Sequence, residues 1–389
     1  MSTAPHAELD LSQLYADPYP IFGRLRRDTP IVFVPALRAT LILRRDDILT
    51  CGRLVNVFSN EVSDLMNQLM GTNMMRKDAA AHLAERQSMS STINPKAVKT
   101  HWLEVFAKHA ESFLSQFTPG LEFDAMKDFA LPYCAECLKS VTGLVNVSYT
   151  QMNEWSQAEM DGMSNILGDA EVDARCRIAV AAIDEAIDEM LPEVRKYPNQ
   201  SLISVLAASD MPLQSLKANI KLAISGGLNE PRTALAGAVW ALLTHAGQLD
   251  LVRAGSRTWL QVFEEYIRWL APITFTPREV KQHWFIRDIQ FSPGDKVLLV
   301  HGSGNRDEKF YERPDEFDIQ RDASQSLAFG TGPHFCAGSW ISKGMVAEVG
   351  LPYIFSRIPG LKLRGDAPIS VRGFGFRSVV TVPAIWEKG

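Results

Sequence analysis

From about residue 98 to 250, apolar positions recur three and four apart, as at Ile178, Ala182, Ile183, Ala186, Ile187, Met190 and Leu191, and predict helices with one buried face. The longest candidate runs from Leu213 to Gln248. Near the start the pattern differs. After Asp17-Pro18-Tyr19-Pro20 and a helical Ile21–Arg27, the runs Ile31–Val34 and Thr40–Leu43 read as strands, with a break at Pro35–Arg38 that suits a hairpin. Between about 55 and 75, four methionines stand among Val, Phe and Leu, as either an adaptable wall over a ligand or ordinary core. Ile341–Ile354 reads as helix, and 361–384 as short strands around Gly373–Phe376. No repeat or linker interrupts the chain, so residues 1–389 are expected to form a single domain, mainly α with small β-sheets. Within it, a β-rich part of about 14–75 packs with a helical part of about 76–389.

A net charge of −5 over 389 residues gives no reason to expect nucleic acid. No run of ~18 apolar residues is present, and the first eight residues lack the basic-then-apolar order of a secretory signal, so the expectation is a cytoplasmic protein without membrane contact. The cysteines, at 51, 134, 137, 176 and 336, are too scattered for a disulfide framework. Cys134-x-x-Cys137 has no second pair to complete a zinc or redox site and reads as core.

The stretch Phe329-Gly-Thr-Gly-Pro-His-Phe-Cys336-Ala-Gly338 alters the picture. It places a cysteine on a turn whose glycines let the backbone approach something flat, with N–H groups to steady a thiolate. A haem iron suits that arrangement, with Phe329 against the sulfur and His334 toward a propionate. The plainer alternative is a structural cysteine on a glycine-rich turn. By this ten-residue pattern the chain resembles the cytochrome P-450 superfamily of haem-thiolate monooxygenases, of the soluble bacterial type. The resemblance extends over about 14–384. It implies a triangular helical prism around a buried haem b (iron protoporphyrin IX), with Cys336 as metal ligand and Gly338 closing the loop. It further implies propionate contacts from His82 and Arg86, which four-residue spacing puts on one helix face, and from Arg278. Glu265, Arg268 and Arg321 are implied as a buried ionic network, although Glu-x-x-Arg alone is a common surface pair.

Ser225–Arg232, in the middle of the longest helix, collects Gly226, Gly227 and Pro231, which an unforced helix avoids. Pro231 cannot donate to the Gly227 carbonyl, so either the helix opens where oxygen binds or it kinks for packing alone. The superfamily usually carries an acid followed by an alcohol here; this chain has Asn229 and Glu230. Catalytic roles thus fall to Gly227, Asn229 and Glu230. A carboxylic acid among apolar walls has a raised pKa, so Glu230 can donate a proton in O–O cleavage and permit a hydrogen-peroxide route beside one using dioxygen. The alternative is a Glu230 turned away to pair with Arg232 or Lys221.

Such an Asn-Glu pair resembles bacterial members that demethylate small methoxy compounds. Leu69, Leu222, Gly226, Ile273, Thr274, Thr276 and Phe374 are the expected pocket, suited to a small aromatic or terpenoid. Hydroxylation of a terpenoid, fatty acid or secondary metabolite stays open. So does a haem protein that inserts no oxygen, binding gas or catalysing dehydration or isomerisation. Electrons must come from an external ferredoxin or flavodoxin with its NAD(P)H-dependent reductase, and Lys77, Arg86, Lys96, Lys99 and Lys343 are candidates for the basic patch that steers it.

Overall fold

The computed structural model describes residues 2–62, 65–165, 168–365 and 369–387. These divide into two compact units, both discontinuous in sequence. The first comprises the chain up to Val62, His245–Cys336 and Ile369–Val380; the second takes the described residues between 63 and 244, between 337 and 368, and from Thr381 on.

The first unit is built on a five-stranded sheet in the order Ile31–Val34, Ala39–Ile42, Lys296–Leu299, Thr276–Val280, Phe58–Ser59. The expected hairpin is present, with Ile31 opposite Ile42. Its turn is a tight helical Pro35–Leu37 followed by a left-handed Arg38 (φ 49°), so the second strand starts at Ala39. Ala39–Ile42 runs parallel to Lys296–Leu299, and the remaining neighbours are antiparallel. Apolar side chains pack on both faces of this sheet. Ile31, Ile42, Phe58, Val297 and Leu299 form one cluster; Phe22, Val32, Val34, Leu41 and Leu298 form the other. Helix Trp259–Leu270 starts at a capping box in which Thr258 and Gln261 satisfy each other's backbone N–H groups.

The second unit is helical, with one three-stranded sheet formed by Glu122–Asp124, Pro383–Trp386 and Leu361–Leu363. Its longest helix is Leu213–Thr244, which passes without interruption through Pro231. It ends four residues short of the expected Gln248, because His245 leaves helical backbone and Ala246–Arg253 forms a separate helix. Tyr149–Met163 begins at a Ser148–Gln151 capping box, and Ala170–Lys196 is capped by Asp169. On that last helix the buried face is Cys176, Ala179, Ile183, Ala186, Ile187, Leu191 and Val194. Ile178, counted with the apolar stripe from spacing, is 70% exposed.

The helix expected over Ile341–Ile354 extends over Ser339–Arg357, with wide turns at Lys343–Gly350. Of the methionine-rich stretch, residues 63 and 64 lie outside the described residues, as do 366–368 of the C-terminal strands. No single helix among the described residues is long and apolar enough to cross a membrane.

Candidate haem-thiolate site

In the first unit the cysteine loop folds on itself. Cys336 N–H donates to the Phe329 carbonyl at 2.9 Å, Gly330 N–H to Leu327 at 2.9 Å and Phe335 N–H to Gly332 at 3.0 Å. Gly332 has φ +69°, and a Cβ there would meet the Gly52 carbonyl oxygen at 2.3 Å, so no other residue fits. Phe329 lies with ring centroids 6.1 Å from Phe263 and 6.0 Å from Phe335. Cys51, Cys134, Cys137 and Cys176 are buried, and burial pushes every one of these thiols upward, Cys176 to about 11. Cys336 alone among the five is half-exposed. That makes it the thiol able to reach a ligand. His334 is half-buried on the turn before it, and Arg278 is 4% exposed on the strand Thr276–Val280.

The ionic network is assembled as expected, within the same unit. Arg268 Nε and Nη2 donate to the two Glu265 oxygens at 2.6 and 2.8 Å, and Arg321 Nε reaches Glu265 Oε1 at 3.4 Å. Arg268 also donates to the carbonyls of Asn305, Pro314 and Glu316. Four expected pocket residues meet nearby. Ile273 bridges to Phe376, Thr274 N–H donates to the Gly375 carbonyl at 2.9 Å, and Phe374 packs 4.9 Å from Phe275. Thr274 departs from expectation: it is fully buried, so only the half-buried Thr276 keeps a hydroxyl at an accessible edge. Phe374 also packs against Phe22 of the core, at 6.3 Å.

In the second unit, Leu222, Gly226 and Glu230 stand four apart on one face of the long helix. Gly226 is exposed in mid-helix, and a Cβ there would meet no atom within 4 Å. This is the open face that a flat cofactor requires. Its neighbour Gly227 has a packing use: a Cβ would come within 2.8 Å of Leu138, so this glycine admits helix Leu131–Thr142. Leu69 and Leu222 share an apolar cluster with Met70 and Cys176.

Glu230 has both carboxyl oxygens buried without a hydrogen-bond partner, and desolvation raises its pKa to about 8. The pairing alternatives are taken elsewhere. Lys221 Nζ holds Asp184 at 2.9 and 3.1 Å, and Arg232 donates to the side-chain oxygens of Asn153, Gln157 and Asn229. Asn229 is also committed: its amide donates to Ser156 Oγ at 2.7 Å, and Ser156 donates to the Ile224 carbonyl at 3.0 Å. The side chain therefore latches two helices together and is turned off the face that carries Glu230. Sequence reasoning missed Ser156, since nothing local distinguishes it from other serines, and it offered Arg232 as a partner for Glu230 where the structure gives it to Asn153, Gln157 and Asn229.

On helix Ala79–Ile93, His82 is 4% exposed and Arg86 half-buried. Between them Glu85 accepts from Asn219 at 2.9 Å and pairs with Lys77. Lys77 is thus occupied within the unit and is a poor member of a docking patch. Lys96 and Lys99 are exposed; Lys343 lies 5.5 Å from the Trp340 ring.

Cys336 is thus a half-exposed thiol on a glycine turn, and Gly226 separately gives the long helix an open face. Residues 260–352 match the family model "Cytochrome P450". A putative cytochrome P450, YjiB, of Bacillus subtilis is 24% identical over 362 residues, covering 90% of each chain. The steroid C26-monooxygenase of Mycolicibacterium smegmatis is 25% identical, over 78% of this chain and 77% of its own. Among solved structures, P450BioI in complex with a hexadecenoyl acyl carrier protein superposes with TM-score 0.88 at 21% identity, covering 97% of this chain and all of that one. CalO2 follows at TM-score 0.87 and 22% identity, over 97% of each chain. Over most of its length the chain is thus similar to cytochromes P450 from bacteria, and residues 260–352 carry the match to their family model.

Proposed function

We propose that the enzyme oxidises a small, largely apolar molecule and that Glu230 supplies the proton for O–O cleavage. The observation carrying this reading is the carboxyl group of Glu230, buried and unpartnered on the face that Gly226 leaves open. A haem bound through Cys336 supplies oxygen activation, the thiolate favouring O–O cleavage. His82, Arg86, Arg278 and His334 are the groups proposed to hold its propionates. Phe329 shields the Cys336 sulfur, and the backbone of the Phe329–Gly338 loop steadies it.

Below about pH 8 Glu230 keeps its proton. It delivers that proton from Oε to the distal oxygen of the oxidant, and with hydrogen peroxide the carboxylate so formed takes one from the nearer oxygen, which restores the acid. Leu69 and Leu222 in the second unit, and Ile273 and Phe374 in the first, are the apolar side chains proposed to meet the substrate. Oxidative demethylation of a methoxy compound is the reaction favoured by the Asn229-Glu230 pair. Relatives named for steroid and polyketide oxidation support an alternative substrate of that larger kind. Lys96, Lys99 and Lys343 are proposed to steer an acidic ferredoxin or flavodoxin.

The test is Glu230→Gln, assayed with peroxide and with ferredoxin against whichever methoxyarene, steroid or fatty acid shifts the ferric Soret band. Turnover by both routes is expected to fall at least ~100-fold, the scale of a lost general acid. Undiminished turnover sinks the role of Glu230.

A further inference from the structure

Strand Thr276–Val280 carries Thr276 and Arg278 on one face, two residues apart. It pairs antiparallel with Lys296–Leu299, Thr276 opposite Leu299, and the chain beyond that partner is held by Gly302 N–H donating to the Thr274 carbonyl at 2.9 Å. This brings His301 Nε2 to 2.9 Å from Thr276 Oγ1. His301 is 2% exposed, and its Nδ1 has no hydrogen-bond partner. Burial, helped by the nearby charge of Arg278, pushes its pKa down to about 3, so the ring is neutral and carries one proton.

The position of that proton follows from cost. On Nδ1 it would be a buried N–H with nothing to bond. On Nε2 it is donated to Thr276, leaving only a bare lone pair at Nδ1, and orphaned donors are the rarer and costlier defect. Nε2 is therefore the donor and Thr276 Oγ1 the acceptor. Having accepted from His301, the Thr276 hydroxyl turns its own proton outward from a half-buried position. A hydroxyl donor beside a guanidinium recognises an oxygen acceptor bearing negative charge.

We propose that Thr276, its hydroxyl aimed by His301 and backed by Arg278, is a recognition point for a carboxylate. His301 is then a positioning residue. The proposal deepens the monooxygenase reading, since the carboxylate belongs either to the substrate or to a haem propionate, and the two sources separate by experiment. The holoenzyme is titrated with dodecanoic acid and with its methyl ester, watching the Soret band. Haem loss to excess apomyoglobin is timed in parallel.

If the substrate is the source, wild type prefers acid over ester at least about tenfold, the worth of one charge-assisted hydrogen bond. Thr276→Val and His301→Leu then abolish the preference, and Thr276→Ser retains it. If a propionate is the source, the two disrupting variants release haem at least about tenfold faster while the acid-to-ester ratio stays put. Variants that change neither quantity overturn the proposal, as does a His301→Leu effect that Thr276→Val does not share. A wild type without a Soret band refutes the haem reading instead, and calorimetric titration of acid against ester then decides this one.

Discussion

Two buried glutamates show how differently one fold can treat the same group. Glu265 is completely buried and surrounded: Arg268 grips it with two donors, Arg321 adds a third, and the Asp318 N–H a fourth at 2.9 Å. Glu230 has both oxygens buried and no partner for either. Desolvating a carboxylate is expensive unless its oxygens are hydrogen-bonded. The first unit meets that cost with four donors; the second leaves the group neutral instead. A satisfied carboxylate fixes structure, whereas an unsatisfied one keeps a proton available.

The contrast breaks hardest at Glu265. Glu265→Ala leaves Arg268 buried with its charge uncompensated, and the expected loss is about 3–5 kcal/mol. Urea denaturation of the holoenzyme measures it. A loss below about 1 kcal/mol would mean that the carbonyls of Asn305, Pro314 and Glu316 suffice for Arg268.

Glu230 responds to pH in the direction its raised pKa dictates. Unfolded, the group loses its proton near 4.5; folded, it holds it to about 8. The native state binds the extra proton between those values, so this contribution to stability is complete below 4.5 and is lost as pH rises through about 8. At ~1.4 kcal/mol per pKa unit, discounted for the residue's partial exposure, the decline is roughly 2–3 kcal/mol. Glu230→Gln removes it. Denaturation of both proteins at acid and mildly alkaline pH is expected to show wild type losing ground relative to the variant. Parallel pH profiles would place the titration elsewhere.

Much of this contrast was legible in the chain, for a physical reason. Cys336 and its glycines, Glu265 with Arg268, and the Gly226-Gly227-x-Asn-Glu230 sequence are local constellations whose spacing already limits their chemistry. The hairpin at Pro35–Arg38 was equally local. What escaped depends on partners far away in sequence. Gly227 looks like part of an oxygen site until Leu138, 89 residues earlier, is found filling the space above it. Asn229 looks catalytic until Ser156 takes its amide. Thr274 stands two residues before the strand Thr276–Val280, yet it is sealed inside, and Lys77 reads as a surface cation until Glu85 captures it. His301 carries no sequence signal at all. Its place beside Thr276 exists only because two strands pair in one register.

The smallest effect sharpens the comparison most, because it repeats the spacing of Glu265 and Arg268 in a different medium. Arg313 and Glu316 are likewise three apart with opposite charges, and their Nη1 to Oε2 distance is 2.7 Å. Both side chains are more than half exposed, and water solvates each charge whether or not the pair forms. The attraction is screened as well, within ~8 Å at physiological ionic strength. Breaking it by Glu316→Gln, which leaves the backbone carbonyl free to accept from Arg268, is expected to change stability by less than about 0.5 kcal/mol. It should also be less costly in 1 M salt, a condition to which Glu265→Ala responds little because its pair is beyond the reach of ions. Equal losses at the two sites would show that spacing, and not burial, sets the worth of these pairs.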